Sequence, residues 1–347
     1  MREARNYMSE ASAAASSAGD FSKSNGQPAP STTEAQASPD ALRYSPKTTR
    51  ALVLATGAAC FAVFWLVGGW LEVPQFRRFE VSLMQQPGAG TVLDLIVAAL
   101  LLAACTIVGH FIAGRRWLYA GPFVATFGLM GWTCRGGPSR YVYQHAAIAG
   151  DGRSVFLVLA LELAVLSLFV GAIWYYIASR GQAMGKEPDV KDSNTSRGDL
   201  RLLRLQAIGA QILMTGLLIM FLTPVDAKKG VLASVFISSL VAASVTEYFF
   251  GKAELAAWYW VAPAVTGVLG YLLNFLANAA GSPDVTGQLM GAFAPLSRPL
   301  PLDYASAGMF AALLGFWTGG EHPEITVGMD VFRRQLKTKQ PSSPSRA

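Results

Sequence analysis

The chain has 347 residues, enough for about two or three soluble domains, yet only 14% of them are charged against 52% hydrophobic. Such low charge sets it apart from an ordinary soluble protein. The net charge of +6 collects in a few connectors and the C-terminal tail, so it reads as a topology signal and not as a nucleic-acid surface.

Residues 1–48 are predicted to form a disordered polar tail. The first 42 are rich in Ser, Ala, Gly, Gln and Pro without an apolar period, and cannot bury enough surface to offset their ordering entropy. No apolar core precedes a cleavage-like site, so the segment does not read as a secretory signal.

Eight apolar runs follow, near the roughly 20 residues a helix needs to cross about 30 Å of hydrocarbon. The first four are Ala51–Leu71, Val92–Ile112, Trp117–Trp132 and Val155–Ile177. A charged linker, 179–203, separates them from Leu205–Leu222, Val231–Phe250, Ala256–Ala277 and Tyr304–Gly319. The last is short and glycine-rich, which suits a tilted or re-entrant helix.

The second and third runs recur in the sixth and seventh. Val92, Leu93, Leu101, Ala103, Ala104 and Phe111 reappear as Val231, Leu232, Leu240, Ala242, Ala243 and Phe250, and then Trp117, Pro122 and Val124 as Trp258, Pro263 and Val265. The predicted fold is therefore an all-α polytopic membrane protein of about eight transmembrane helices in two four-helix repeats, 49–178 and 204–320. An even number of spans per half makes the repeats parallel.

Arg43, Lys47 and Arg50, the pair Arg115 and Arg116, the linker cations, Lys252, and Arg333, Arg334, Lys337 and Lys339 fall on one side if both termini are cytoplasmic. The expected location is the cytoplasmic (bacterial inner) membrane. In the basic tail, 321–347, Ile325, Met329, Phe332 and Leu336 recur at helical spacing among cations, as in a helix lying on an anionic leaflet.

Ionisable groups within spans are costly and mark function. Glu162, His110 and Glu247 are the candidates for a substrate or proton pathway. The repeat brings His110 and Glu247 to similar depth, where a carboxylate beside an imidazole would handle protons. Asp94 reads as a helix cap, and Asn274 as an interhelical hydrogen-bond donor. Small residues on the second and sixth helices, Ala103, Ala104, Ser238, Ser239, Ala242, Ala243 and Ser244, would let the halves pack closely.

In the exterior loop, Arg135, Arg140 and His145 suit an anionic headgroup or phosphate, with Tyr141 and Tyr143 at the interface. The order Ser139-Arg140…His145 resembles a fragment of the lipid-phosphatase signature. The spacing is one residue short, however, and the Lys–Arg-Pro and Pro-Ser-Gly-His elements are missing, which rejects that assignment.

Cys60, Cys105 and Cys134 have neither metal-ligand spacing nor the pattern of a disulfide framework. No Walker loop, zinc His-Glu-x-x-His or nucleophile elbow is present. No metal or cofactor is expected. The leading expectation is a transporter-like or small-molecule/lipid binding module, with its site between the repeats and the lipid bilayer as its surroundings. The alternative is a non-catalytic scaffold that meets protein partners through its tails, and an intramembrane lipid-headgroup enzyme ranks last.

Overall fold

The computed structural model describes residues 46–71, 89–113, 119–137, 142–143, 154–182, 197–223, 227–250, 259–277 and 293–319. The N-terminal tail up to residue 45, the basic C-terminal tail, Arg140, Tyr141 and His145 lie outside these residues. Among the described residues there is no strand.

Five helices are long and apolar enough to cross a membrane. They are α1 (Pro46–Leu71), α2 (Ala89–Ala113), α4 (Ser154–Gln182), α5 (Arg197–Leu222) and α6 (Lys228–Phe250). Three shorter elements accompany them: α3 (Ala120–Thr133), α7 (Ala262–Ala277), and α9, which runs from Pro301–Asp303 through a π-helical turn, Tyr304–Gly308, into Met309–Gly319. A single-turn helix, α8 (Ala294–Ser297), precedes α9. Helices α4 and α5 extend into the predicted 179–203 linker, because its polar residues continue both helices past their apolar spans.

Length and composition sort these elements into outer and inner layers. At 1.5 Å per residue, the 14 residues of α3 reach only about 21 Å, less than a bilayer. Its Ala, Gly and Thr residues are almost all buried, and residues 301–313 of α9 are buried throughout. The long helices instead keep large apolar side chains outside. Trp70, Phe111, Leu168, Leu213 and Phe221 are all exposed, as expected of surfaces meant for lipid.

Contacts run through the inner helices. Helix α3 packs on α1 and α2, α9 packs on α6 and α3, and α7 packs on α4 and α5. Glycine permits close approach here: a Cβ on Gly109 of α2 would lie 2.7 Å from the Ala120 carbonyl oxygen, and one on Gly121 of α3 would lie 2.7 Å from that of Thr106. A side chain at either position would push the two backbones apart. The core between α3 and α9 is aromatic, with Phe310 4.6 Å from Phe127 and 4.8 Å from Phe123 between ring centroids.

The small residues of α2 and α6 do not join the two halves. Ala104 is exposed, and Ser244 and Leu240 of α6 meet Gly315 of α9 instead. The reason is that α3 and α9 occupy the space between α2 and α6. None of the three cysteines forms a disulfide, and the Cys60 and Cys105 thiols lie close together where α1 meets α2.

Candidate functional site

The segment leading into α9 contains Pro295, Pro299 and Pro301 within seven residues. Proline lacks an amide proton, so no helix can run through this stretch with its carbonyls satisfied. Three buried tyrosines supply the missing donors. Tyr304 donates to the Leu296 carbonyl at 2.8 Å, Tyr271 to that of Pro299 at 2.5 Å, and Tyr143 to that of Ser297. Asn274 of α7 donates to the Phe293 carbonyl at 2.7 Å. The Arg298 guanidinium donates to the Thr223 carbonyl just past α5.

Helix α9 then starts with Pro301 in its first turn, where the missing proton costs nothing. Asp303 Oδ2 accepts from the Leu300 amide at 2.8 Å, and its Oδ1 accepts from Lys228 Nζ at 2.7 Å. Asp303 is 1% exposed and Lys228 11%, so this ion pair is largely withdrawn from water. Thr133 at the end of α3 hydrogen-bonds Ser306 in the π-turn at 2.9 Å. The ends of α3, α5 and α7 and the starts of α6 and α9 thus meet in one polar cluster, here called the Asp303 end.

Glu162, in the third turn of α4, is fully buried. Its carboxyl lies within electrostatic reach of the Tyr271 hydroxyl, as do Tyr143, Tyr304 and Asp303. The neighbouring Leu163 packs with Tyr304 at Gly267. Two carboxyls, an ammonium group and three phenols therefore share a buried region, and it carries a π-helical turn of the kind often found at functional sites. Such a cluster can hold a proton or a small ion where water is excluded.

The other expected site residues are placed differently. His110 and Glu247 are half-buried, and no hydrogen bond or ion pair joins them among the described residues. Helices α2 and α6 are linked mainly through α3 and α9. Glu247 lies within electrostatic reach of the Tyr259 hydroxyl.

Arg135 lies over the Trp65 ring at 5.2 Å and donates to the Trp65 carbonyl at 3.3 Å. Tyr143 is buried and reaches inward, contrary to its expected interfacial place, because the Ser297 carbonyl needs a donor. Asp94 is buried beyond the first turn of α2 and is not the expected cap, since the helix starts earlier, at Ala89. Asn274 does donate a hydrogen bond, though to the segment before α8.

Asp303, Lys228, Arg298, Tyr271 and Tyr304 escaped the sequence reading. Their signal was the three closely spaced prolines, which demand outside donors, and an aspartate two residues after the last of them.

At the opposite end of the bundle, here the Tyr259 end, aromatic rings gather between the starts of α3 and α7 and the ends of α4 and α9. Tyr119 stacks on Trp174 with centroids 5.7 Å apart and meets Phe316 edge-on at 6.1 Å. Tyr259 stacks on Phe316 at 5.8 Å, and Trp260 meets Trp174 at 6.2 Å. Tyr259 and Trp260 are consecutive, so the five rings form a closed circuit. Gln211 of α5 joins it by donating Nε2 to the Tyr259 carbonyl at 2.9 Å.

The fold and these two buried clusters define a helical membrane protein with ionisable groups in its interior. No family model, curated protein or solved structure matches the chain.

Proposed function

We propose that the protein is a multi-pass transport or binding module of the cytoplasmic membrane, with eight helices in two related halves and a proton or substrate path passing Glu162. The observation that carries this reading is Glu162 itself, a carboxyl wholly buried in a span-length helix. An ionisable group in that position is expensive and is kept for a purpose. Its surroundings draw on both halves: α4 and Tyr143 come from the first, Tyr271 and Asp303 from the second. A duplicated plan is favoured by one feature of the packing, since the fourth helix of each half rests on the third helix of the other, α4 on α7 and α9 on α3.

The test is Glu162→Gln in proteoliposomes loaded with a pH-sensitive dye. Vesicles with the parent protein should dissipate an imposed pH gradient faster than empty vesicles. The variant should insert and unfold like the parent yet fall to the empty-vesicle rate. Unchanged proton flux in a well-folded variant would remove Glu162 from the path.

A further inference from the structure

The aromatic circuit at the Tyr259 end contains polar atoms that nothing in the protein satisfies. Gln211 Oε1, the Tyr259 hydroxyl and Trp260 Nε1 are buried and have no hydrogen-bond partner. Tyr259 and Trp260 are each 1% exposed and Gln211 is 0% exposed, so bulk water does not pair with these atoms. Unpaired buried polar atoms are rare, and an unseen water, ion or ligand is the usual explanation. The three belong to two consecutive residues and to Gln211, which hydrogen-bonds the Tyr259 carbonyl.

The electrostatics select what that occupant is. Aromatic faces carry negative charge density and attract cations. Glu247 adds a half-buried carboxylate that forms no hydrogen bond or ion pair among the described residues and acts electrostatically on Tyr259. Gln211 Oε1 adds an unfilled acceptor. At the same end, Arg50 already lies over the Trp317 ring at 5.7 Å, so a protein cation uses the neighbouring aromatic surface in this way. The remaining donor, Trp260 Nε1, suits an oxygen on the same molecule.

We propose that the junction of Tyr119, Trp174, Tyr259, Trp260, Gln211 and Glu247 binds an organic ammonium ion that carries an oxygen acceptor. The ammonium group donates to Gln211 Oε1 and the Tyr259 hydroxyl, Glu247 balances its charge, and Trp260 donates to its oxygen. This site lies at the opposite end of the bundle from Glu162 and does not depend on Glu162 having a role in transport.

The experiment is calorimetric titration of the full-length protein in phosphatidylcholine nanodiscs with protonated 4-aminobutan-1-ol. The control ligand is pentan-1-ol, which has the same hydroxyl and a methyl in place of the ammonium. Saturable binding of the amine is expected, with at least tenfold weaker binding of the alcohol. Glu247→Gln should weaken the amine about tenfold. Tyr259→Phe should weaken it several-fold while leaving the unliganded protein as stable as the parent or more so, a combination that a merely structural tyrosine would not give. Glu162→Gln should leave binding unchanged, which separates this site from the proposed path. Discs containing phosphatidylethanolamine distinguish the source: competition with the soluble amine identifies a lipid headgroup as the ligand, and its absence a free amine. No saturable binding, equal binding of pentan-1-ol, or full affinity in both Glu247→Gln and Tyr259→Phe would overturn the proposal and leave ordered water as the occupant.

Discussion

The two ends of the bundle differ in how they treat buried polar groups, though Thr223 Oγ1 at the Asp303 end is also buried without a hydrogen-bond partner. At the Asp303 end, Tyr143, Tyr271 and Tyr304 each donate to a backbone carbonyl of the proline-broken segment, and Asp303 is held by both Lys228 and the Leu300 amide. At the Tyr259 end, a phenol, an indole N–H and an amide oxygen are equally buried and unpaired. The difference teaches that burial alone does not reveal purpose. A satisfied network holds a proline-broken segment in place, whereas an unsatisfied one leaves capacity for something that is not part of the chain.

The largest effect that would sharpen this comparison comes from the ion pair. Lys228→Met strands a buried carboxylate and should cost about 3–5 kcal/mol, read as a loss of unfolding midpoint in detergent. Adding Asp303→Asn should restore most of that stability, because the charge is gone while an oxygen remains for the Leu300 amide. Failure of the second change to rescue the first would mean that the pair does not govern stability here.

A smaller effect is expected from the tyrosines, and its sign should differ between the ends. Tyr271→Phe leaves the Pro299 carbonyl without its donor and should cost about 1–3 kcal/mol in the same assay. Tyr259→Phe removes a hydroxyl that has no partner, so stability should stay within about 0.5 kcal/mol of the parent or rise. Equal losses at both positions would erase the distinction between a tied end and an open one.

The halves offer a second comparison. The echo between α2–α3 and α6–α7 is plain in the sequence, yet the corresponding helices have different neighbours. Helix α3 lies against α2 through Gly109 and Gly121, whereas α7 packs on α4 and α5 and makes no comparable contact with α6. At the positions that correspond to Gly109 and Gly121, the second half has Tyr248 and Ala262. Without glycine at the crossing, the two backbones cannot approach in the same way. The place beside α6 is taken by α9, through Gly315.

The helices at the eight apolar runs were legible in the sequence, five of them long enough to cross a membrane, because hydrophobic runs broken by charged or proline-rich connectors leave few alternatives to helix. The lipid-facing character of the long helices followed from the same runs. Glu162 was legible too, as a lone carboxyl in an apolar helix, since the cost of burying charge does not depend on knowing its neighbours. Whether His110 meets Glu247 was not legible, for the converse reason: depth along two helices says nothing about which helices lie between them.

Composition and periodicity by themselves determined helix, membrane and the rarity of internal charge, since these rest on the transfer of each segment from water into hydrocarbon. Only the tertiary structure decided that α3 and α9 fill the centre, that Tyr143 turns inward, and that Lys228 meets Asp303 across 75 residues of chain. Those outcomes depend on which backbone carbonyls the prolines leave unsatisfied and which side chains can reach them, a matter of geometry between segments that no single segment encodes.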